Sequence, residues 1–218
     1  MIELRNLSKS FRSGRGRKHI ARNLSIVFPT GCSVALLGRN GSGKSTLLQM
    51  IAGNMRPDSG QIISTGQVSF PVGFSGSFHR DLTGAQNTRF IARIYGVDTD
   101  ELLHFVEDFA GLGGHFNMPV RLYSSGMRSR LAFGISMGIK FDTYLVDEIT
   151  AVGDQAFREK SSAMFKDRMR DSNAIVVTHS MKDVRRLCNA GAVLENGHLR
   201  YFDDVEEAID FHLGNMGT

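Results

Sequence analysis

Residues 38–46 read Gly38-Arg39-Asn40-Gly41-Ser42-Gly43-Lys44-Ser45-Thr46, which fits the pattern GxxxxGK[ST]. The flanks give the pattern its meaning. Residues 32–37 are a short apolar run that reads as a buried strand, and residues 44–53 carry apolar side chains at helical spacing. A glycine-rich turn between a buried strand and a helix is a P-loop. Its glycines let backbone N–H groups turn toward phosphate oxygens, and the helix N-terminus adds positive potential. Lys44 is placed to reach β and γ phosphates, and Ser45 offers its hydroxyl to Mg2+.

A second phosphate-site pattern lies downstream. Tyr144-Leu145-Val146-Asp147-Glu148 is an apolar strand ending in two carboxylates. After a P-loop in the same chain, Asp147 is expected to hold Mg2+, directly or through water, and Glu148 to polarise an attacking water as general base. An apolar strand capped by two acids is also a common structural feature, so this reading leans on the P-loop. Between the two patterns, Tyr123-Ser124-Ser125-Gly126-Met127 precedes a helix beginning near Arg128. Small residues and free N–H groups at a helix start make a phosphate site, in a chain that already has one.

The remaining chain organises around these motifs. Residues 2–7 and 21–28 read as a hairpin across a glycine- and arginine-rich loop at 13–18. The turn at 57–60 leads to strands at 61–64 and 67–70. From 83 to 112 the pattern is helical, and 124–138 continues it. Short strands follow at 144–146 and 174–177. Residues 192–194 and 198–202 flank Asn196-Gly197, a strong hairpin signal, and 206–213 read as a closing helix. There is no internal repeat, so a helical part is inserted between core strands of one unit.

Composition bounds the function. The 218 residues are 41% hydrophobic and 22% charged with a net charge of +4, which suggests neither disorder nor a membrane class. Cys32 and Cys188 lie far apart with no CxxC, as suits a reducing compartment. The N-terminus has early charges and no secretory pattern. The uncharged stretch 60–78 contains too much Gly, Ser, Gln and Pro71 for the ~20 mainly apolar residues of a spanning helix. A cytoplasmic protein is expected, whose membrane work would run through another chain.

The stretch from Tyr123 to Met127 resembles the LSGGQ signature of ABC ATPases, and other motifs agree in order and spacing. Ala151-Val152-Gly153-Asp154 falls where the family has its D-loop, and Val177-Thr178-His179 where it has a switch histidine. The resemblance covers essentially the whole chain. It implies an α/β fold of the P-loop NTPase, ABC ATPase type: a mixed core sheet with N-terminal antiparallel strands and an inserted helical subdomain. The single domain 1–218 would comprise a core of 1–72 and 140–218 and a helical part of 73–139.

The resemblance also assigns roles. ATP and Mg2+ would be bound by residues Gly38, Arg39, Asn40, Gly41, Ser42, Gly43, Lys44, Ser45, Thr46 and Asp147. Ser124 and Gly126 would contact the γ-phosphate held by a partner's P-loop, with Asp154 at the dimer interface. Glu148, His179 and Lys44 would be catalytic, His179 sensing the γ-phosphate. Phe11 falls where the family stacks an aromatic ring on adenine, although a core phenylalanine is the other reading. Arg12, Arg15, Arg17 and Lys18 could attract the triphosphate, touch anionic lipid, or simply be a solvated loop.

Within the family, YSSGMRSRLAFGISM, DEITAVGD and FPVGFSGSFHRDLTGAQN look like the ATP-binding subunits of bacterial polysaccharide exporters, capsular ones above all. Exporters of O-antigen and teichoic acid are alternatives. The expected assembly is a homodimer under an integral-membrane permease dimer, peripheral on the cytoplasmic face of the inner membrane, with no nucleic acid and no span of its own. Coupling would pass through the helical part and the loop at 74–80. Two departures stand out. Ser125 and Met127 replace glycine and glutamine of the broader signature, and the loop after Pro71 lacks the usual glutamine, leaving Phe74 or His79 near its slot. Rival readings are a non-transport cassette acting on DNA or the ribosome, an ATP switch without turnover, and a P-loop kinase.

Overall fold

The computed structural model describes residues 1–14, 16–72, 78–147 and 154–216. Arg15, Phe74, Glu148, Ala151, Val152 and Gly153 lie outside the described residues.

Among the described residues, strand pairing produces two sheets. In the first, β1 (Ile2–Ser13) pairs antiparallel with both β2 (Gly16–Phe28) and β4 (Ser59–Ser64). The second has the order β5 (Thr143–Asp147), β6 (Asn173–Val177), β3 (Val34–Leu37), β7 (Ala190–Glu195), β8 (His198–Phe202). Its strands β5, β6, β3 and β7 run parallel, and β8 returns antiparallel to β7. All of β3 is buried, as expected of a central parallel strand covered on both faces. In β1 the buried positions are Ile2, Leu4 and Leu7, so the alternation slips by one. A register break between Leu4 and Leu7, with Asn6 at φ 49, re-aims Leu7 into the core.

The helix α1 (Lys44–Ile51) follows β3 and buries Leu47, Leu48, Met50 and Ile51. Leu47, Leu48, Leu36, Leu145 and Leu194 belong to one core cluster with the β1 side chains. Burying each such leucine contributes about 1.5–3 kcal/mol. The helices α6 (Met181–Leu187) and α7 (Val205–Met216) complete this unit. Packing of α7 is close, since a β-carbon at Gly191 of β7 would lie 2.2 Å from Ala208 Cβ.

A second compact unit contains α2 (Gly84–Tyr95), α3 (Thr99–Ala110), α4 (Ser125–Gly138) and α5 (Gln155–Arg168). Thr83 and Gln86 form a reciprocal capping box on α2, and Gly96 ends it in the left-handed region. Asp98, Ser124 and Asp154 cap α3, α4 and α5. The sequence places the helical part at 73–139, and contacts group α5 with it as well. The cause is aromatic packing: Phe157 meets Phe109 edge-on at 5.5 Å and Phe133 at 6.4 Å between ring centroids. Arg168 also donates to the Met137 carbonyl at 2.6 and 2.9 Å.

Several expectations change in detail. The strands reach into the segment expected as a loop at 13–18: Ser13 pairs with Gly16, Arg12 with Arg17 and Phe11 with Lys18. Residues 67–70, expected as a strand, form no regular strand. Val68 makes one isolated bridge to Thr143, and buried Ser69 accepts the Leu145 N–H with its hydroxyl at 2.9 Å. Helices α5 and α6 carry no legible apolar pattern, because α5 buries only Phe157, Ser161 and Phe165, and α6 buries only Val184.

Candidate nucleotide site

The P-loop emerges at the carboxyl end of β3, with β6 on one side and β7 on the other, the crevice where parallel α/β sheets take ligands. Its path needs glycine. Gly38, Gly41 and Gly43 have φ of 149°, 75° and 110°. A β-carbon on Gly38 would lie 2.4 Å from the Leu194 carbonyl oxygen and 2.8 Å from Ser42 Oγ. Lys44 Nζ donates to the Gly38 carbonyl at 2.6 Å and the Arg39 carbonyl at 3.2 Å, spanning the mouth of the loop. Ser42 N–H donates to the Arg39 carbonyl at 3.0 Å, and Ser42 Oγ is buried without a hydrogen-bond partner. A buried orphan hydroxyl inside a ring of glycines suits an oxygen-rich ligand.

A cavity of about 700 Å3 borders the loop, lined by Lys18, His19, Arg22, Arg39, Asn40 and Ser42 among others. Its one carboxylate, Glu195, accepts from Asn215 Nδ2 at 2.8 Å. Such a surplus of cations draws a polyanion. Phe11 is 41% exposed, so the core reading of that ring fails. It sits opposite Lys18 in the hairpin, on the same face, and Lys18 Nζ is 3.3 Å from where a Gly41 β-carbon would be. Lys9 Nζ lies 5.4 Å from the Phe11 centroid. The basic hairpin arm is therefore part of the loop's surroundings.

The other predicted residues of this unit meet at neighbouring strand ends. Asp147 is the last residue of β5, half-buried, and pairs in register with Val177 of β6. His179 follows β6 and is exposed. Ser45 and Thr46 lie in the first turn of α1, which packs against β5. Among the described residues no group of three or more His, Cys, Asp or Glu could hold a metal alone. Ser45 hydroxyl and Asp147 carboxylate are hard oxygen donors, the sparse set that fits Mg2+ sharing its shell with phosphate and water. Glu148 lies outside the described residues.

In the helical unit, Ser124 caps α4 by accepting the Met127 N–H at 3.2 Å and is exposed. Gly126, in the first turn, has open space beside it: a β-carbon there would meet only Ser124 Oγ, at 3.9 Å. Asp154 is occupied within its own chain. It accepts the Phe157 N–H at 2.9 Å and an Arg130 N–H at 2.8 Å. The Phe157 N–H, reinforced by Arg130, holds its carboxyl below the usual range. His79 is also engaged locally, its Nδ1 accepting the Asp81 N–H at 3.3 Å. Phe74 lies outside the described residues.

Sequence reasoning missed Arg130 and Asn87. Buried Asn87 accepts the His79 N–H at 2.9 Å and donates to the His79, Leu82 and Thr83 carbonyls at 3.1, 3.3 and 2.9 Å, fixing the turn before α2. Neither had a usable signal, because each role depends on residues brought close by folding.

A P-loop at the end of a central parallel strand, with a carboxylate and a histidine at adjacent strand ends, defines an ATP-binding P-loop cassette. The chain belongs to the ABC transporter family, whose profile matches residues 21–151. It is 48% identical over 213 residues to the polysialic acid transport ATP-binding protein KpsT of Escherichia coli, covering 96% of this chain and 95% of that protein. It is 40% identical over 212 residues to the capsule polysaccharide export ATP-binding protein CtrD of Neisseria meningitidis serogroup B, covering 97% and 98%. The fold matches a dimeric post-hydrolysis structure of the ATP-binding cassette MJ0796 bound to ADP and Pi, with a TM-score of 0.75 at 21% identity over 94% of this chain and 99% of that one. The chain is thus an ATP-hydrolysing cassette. No helix among the described residues is long and apolar enough to cross a membrane.

Proposed function

We propose that this chain powers export of a capsular polysaccharide, as one of two identical ATPase subunits beneath a separate permease dimer on the cytoplasmic face of a bacterial inner membrane. The observation that carries this reading is similarity along nearly the full length of two capsule-type export proteins. O-antigen and teichoic-acid export proteins are more distant.

In this reading the P-loop N–H groups and Lys44 bind the β and γ phosphates, with Arg39, Asn40 and Thr46 completing the cradle. The exposed ring of Phe11 stacks on adenine. Ser45 and Asp147 would hold Mg2+, which when bound neutralises phosphate charge. Ser124 and the Gly126 N–H of the partner protomer close over the γ-phosphate, so each nucleotide is shared, with Asp154 beside that surface. Glu148 orients a water and takes its proton as the water oxygen attacks the γ phosphorus and the bond to the β–γ bridging oxygen breaks. His179 donates to a γ-phosphate oxygen. Loss of that phosphate releases the partner and reopens the pair, and the movement reaches the permease through the helical unit.

Glu148→Gln tests the motor. It should lower ATP turnover at least about 100-fold, because general-base catalysis contributes 10²–10⁴-fold. ATP should drive the variant into a dimer on size-exclusion chromatography. Wild-type turnover in this variant sinks the mechanism. A cell whose own copy is replaced by Glu148→Gln should keep its capsular polysaccharide inside, and normal surface polysaccharide would remove the cargo assignment.

A further inference from the structure

Arg130 takes no part in the steps above, yet it pairs with a carboxylate and an aromatic ring at once. It lies in the second turn of α4, the helix that Ser124 begins. Its guanidinium is 2.8 Å from Asp154 Oδ2, while Asp154 Oδ1 accepts the Phe157 N–H and starts α5. Its Cζ also lies 4.9 Å from the centroid of Phe157. That ring is buried against Phe133 of α4 and Phe109 of α3. One guanidinium therefore bonds the cap of α5 with its edge and covers the first aromatic ring of α5 with its face. Only a planar, delocalised cation does both at once.

The energy of this pair is not its main consequence. A partly exposed ion pair contributes little to stability. What the geometry fixes is the relation between two helix starts: the turn at Ser124 to Gly126 and the cap at Asp154. We infer that Arg130 is a positioning residue that makes these two segments a single rigid surface for the partner protomer's nucleotide. This rests on the shared-site reading given under Proposed function. Without Arg130 each segment persists on its own cap and Phe157 still packs on Phe133 and Phe109, but no polar contact among the described residues fixes the Asp154 cap against the helix that Ser124 begins. The loss should fall on closure of the dimer and leave binding of ATP to a protomer's own P-loop in place.

The test uses the full chain with Arg130→Ala, Arg130→Lys and Asp154→Asn, each in the wild type and in Glu148→Gln. Asparagine keeps the cap of α5 and removes the charge that Arg130 meets. Arg130→Ala should lower kcat and weaken ATP-driven dimerisation of the Glu148→Gln protein by about 10-fold, within the usual range of coupling between sites. The Hill coefficient for ATP should move toward one. Binding of a fluorescent ATP analogue to the dilute monomer should stay within about two-fold, and the thermal midpoint should be little changed, which separates positioning from misfolding. Arg130→Lys should be intermediate. Combining Arg130→Ala with Asp154→Asn should cost no more than Arg130→Ala alone. The proposal is overturned if Arg130→Ala dimerises and turns over like its parent, or if the two substitutions multiply. A Glu148→Gln protein that stays monomeric with ATP removes the shared site itself, and this role with it.

Discussion

Gly43 offers a direct check on why the P-loop takes its path. It caps α1 at φ 110°, and a β-carbon there would lie 2.3 Å from Ile20 Cγ2 and 3.1 Å from Ile20 Cδ1. Ile20 is only 5% exposed, so its branched side chain has little room to retreat. Gly43→Ala therefore carries two separate costs. Backbone strain at positive φ is about 1–3 kcal/mol. Overpacking against Ile20 adds about 1–3 kcal/mol. Ile20→Ala alone removes buried methyl groups and should cost about 2–5 kcal/mol. In the double variant the new methyl enters space that isoleucine has left, so the overpacking cost disappears while the strain stays. The double should thus be more stable than the sum of the singles by about 1–3 kcal/mol, the size expected for residues in contact. Urea unfolding followed by circular dichroism measures all four corners of the cycle. ATP binding adds a second reading: the double should recover stability yet still bind ATP more weakly than wild type, because Gly43 N–H remains misdirected. Additivity within about 0.5 kcal/mol would show that Ile20 does not set the path of the loop.

Two further outcomes follow from buried titratable groups. Burial, with Lys44 nearby, depresses the pKa of His212, Glu195 opposing, and the side chain is only 5% exposed. The unfolded imidazole takes a proton near ~6.5, so stability should hold above that pH and fall as pH drops through the lower folded value. His212→Gln should flatten this fall in melts between pH 5 and 6.5, whatever its absolute stability, and an unchanged slope would refute the assignment. Burial, with Cys32 nearby, pushes the Cys188 thiol up to about 12. At pH 8 the native protein should present Cys32 to a thiol reagent and yield Cys188 only on unfolding. Fast reaction of Cys188 in a Cys32→Ser variant would contradict that burial.

What could be read from the sequence is what the chain writes contiguously. The P-loop depends on glycine at particular steps between a strand and a helix, and the structure has Gly38, Gly41 and Gly43 at positive φ. The hairpin at Asn196-Gly197 is legible for the same reason, with both residues at positive φ. The strand character of Arg12, Arg17 and Lys18 is not, because it depends on cross-strand pairing and not on an apolar pattern. The same pairing bears on Phe11, for which the sequence leaves a core ring and an adenine-stacking ring open: opposite Lys18 on the extended arm, the ring is exposed. Helix α5 was hidden because Phe157, Ser161 and Phe165 make too narrow a stripe to announce a helix. Without α5 in place Arg130 is one surface cation among many, since its partners Asp154 and Phe157 lie at the start of that helix. The residues that hold a ligand are written in local motifs. Those that hold the motifs to each other become visible only when helices are placed side by side, and that is where substitutions in this chain should separate assembly of the shared site from binding of ATP.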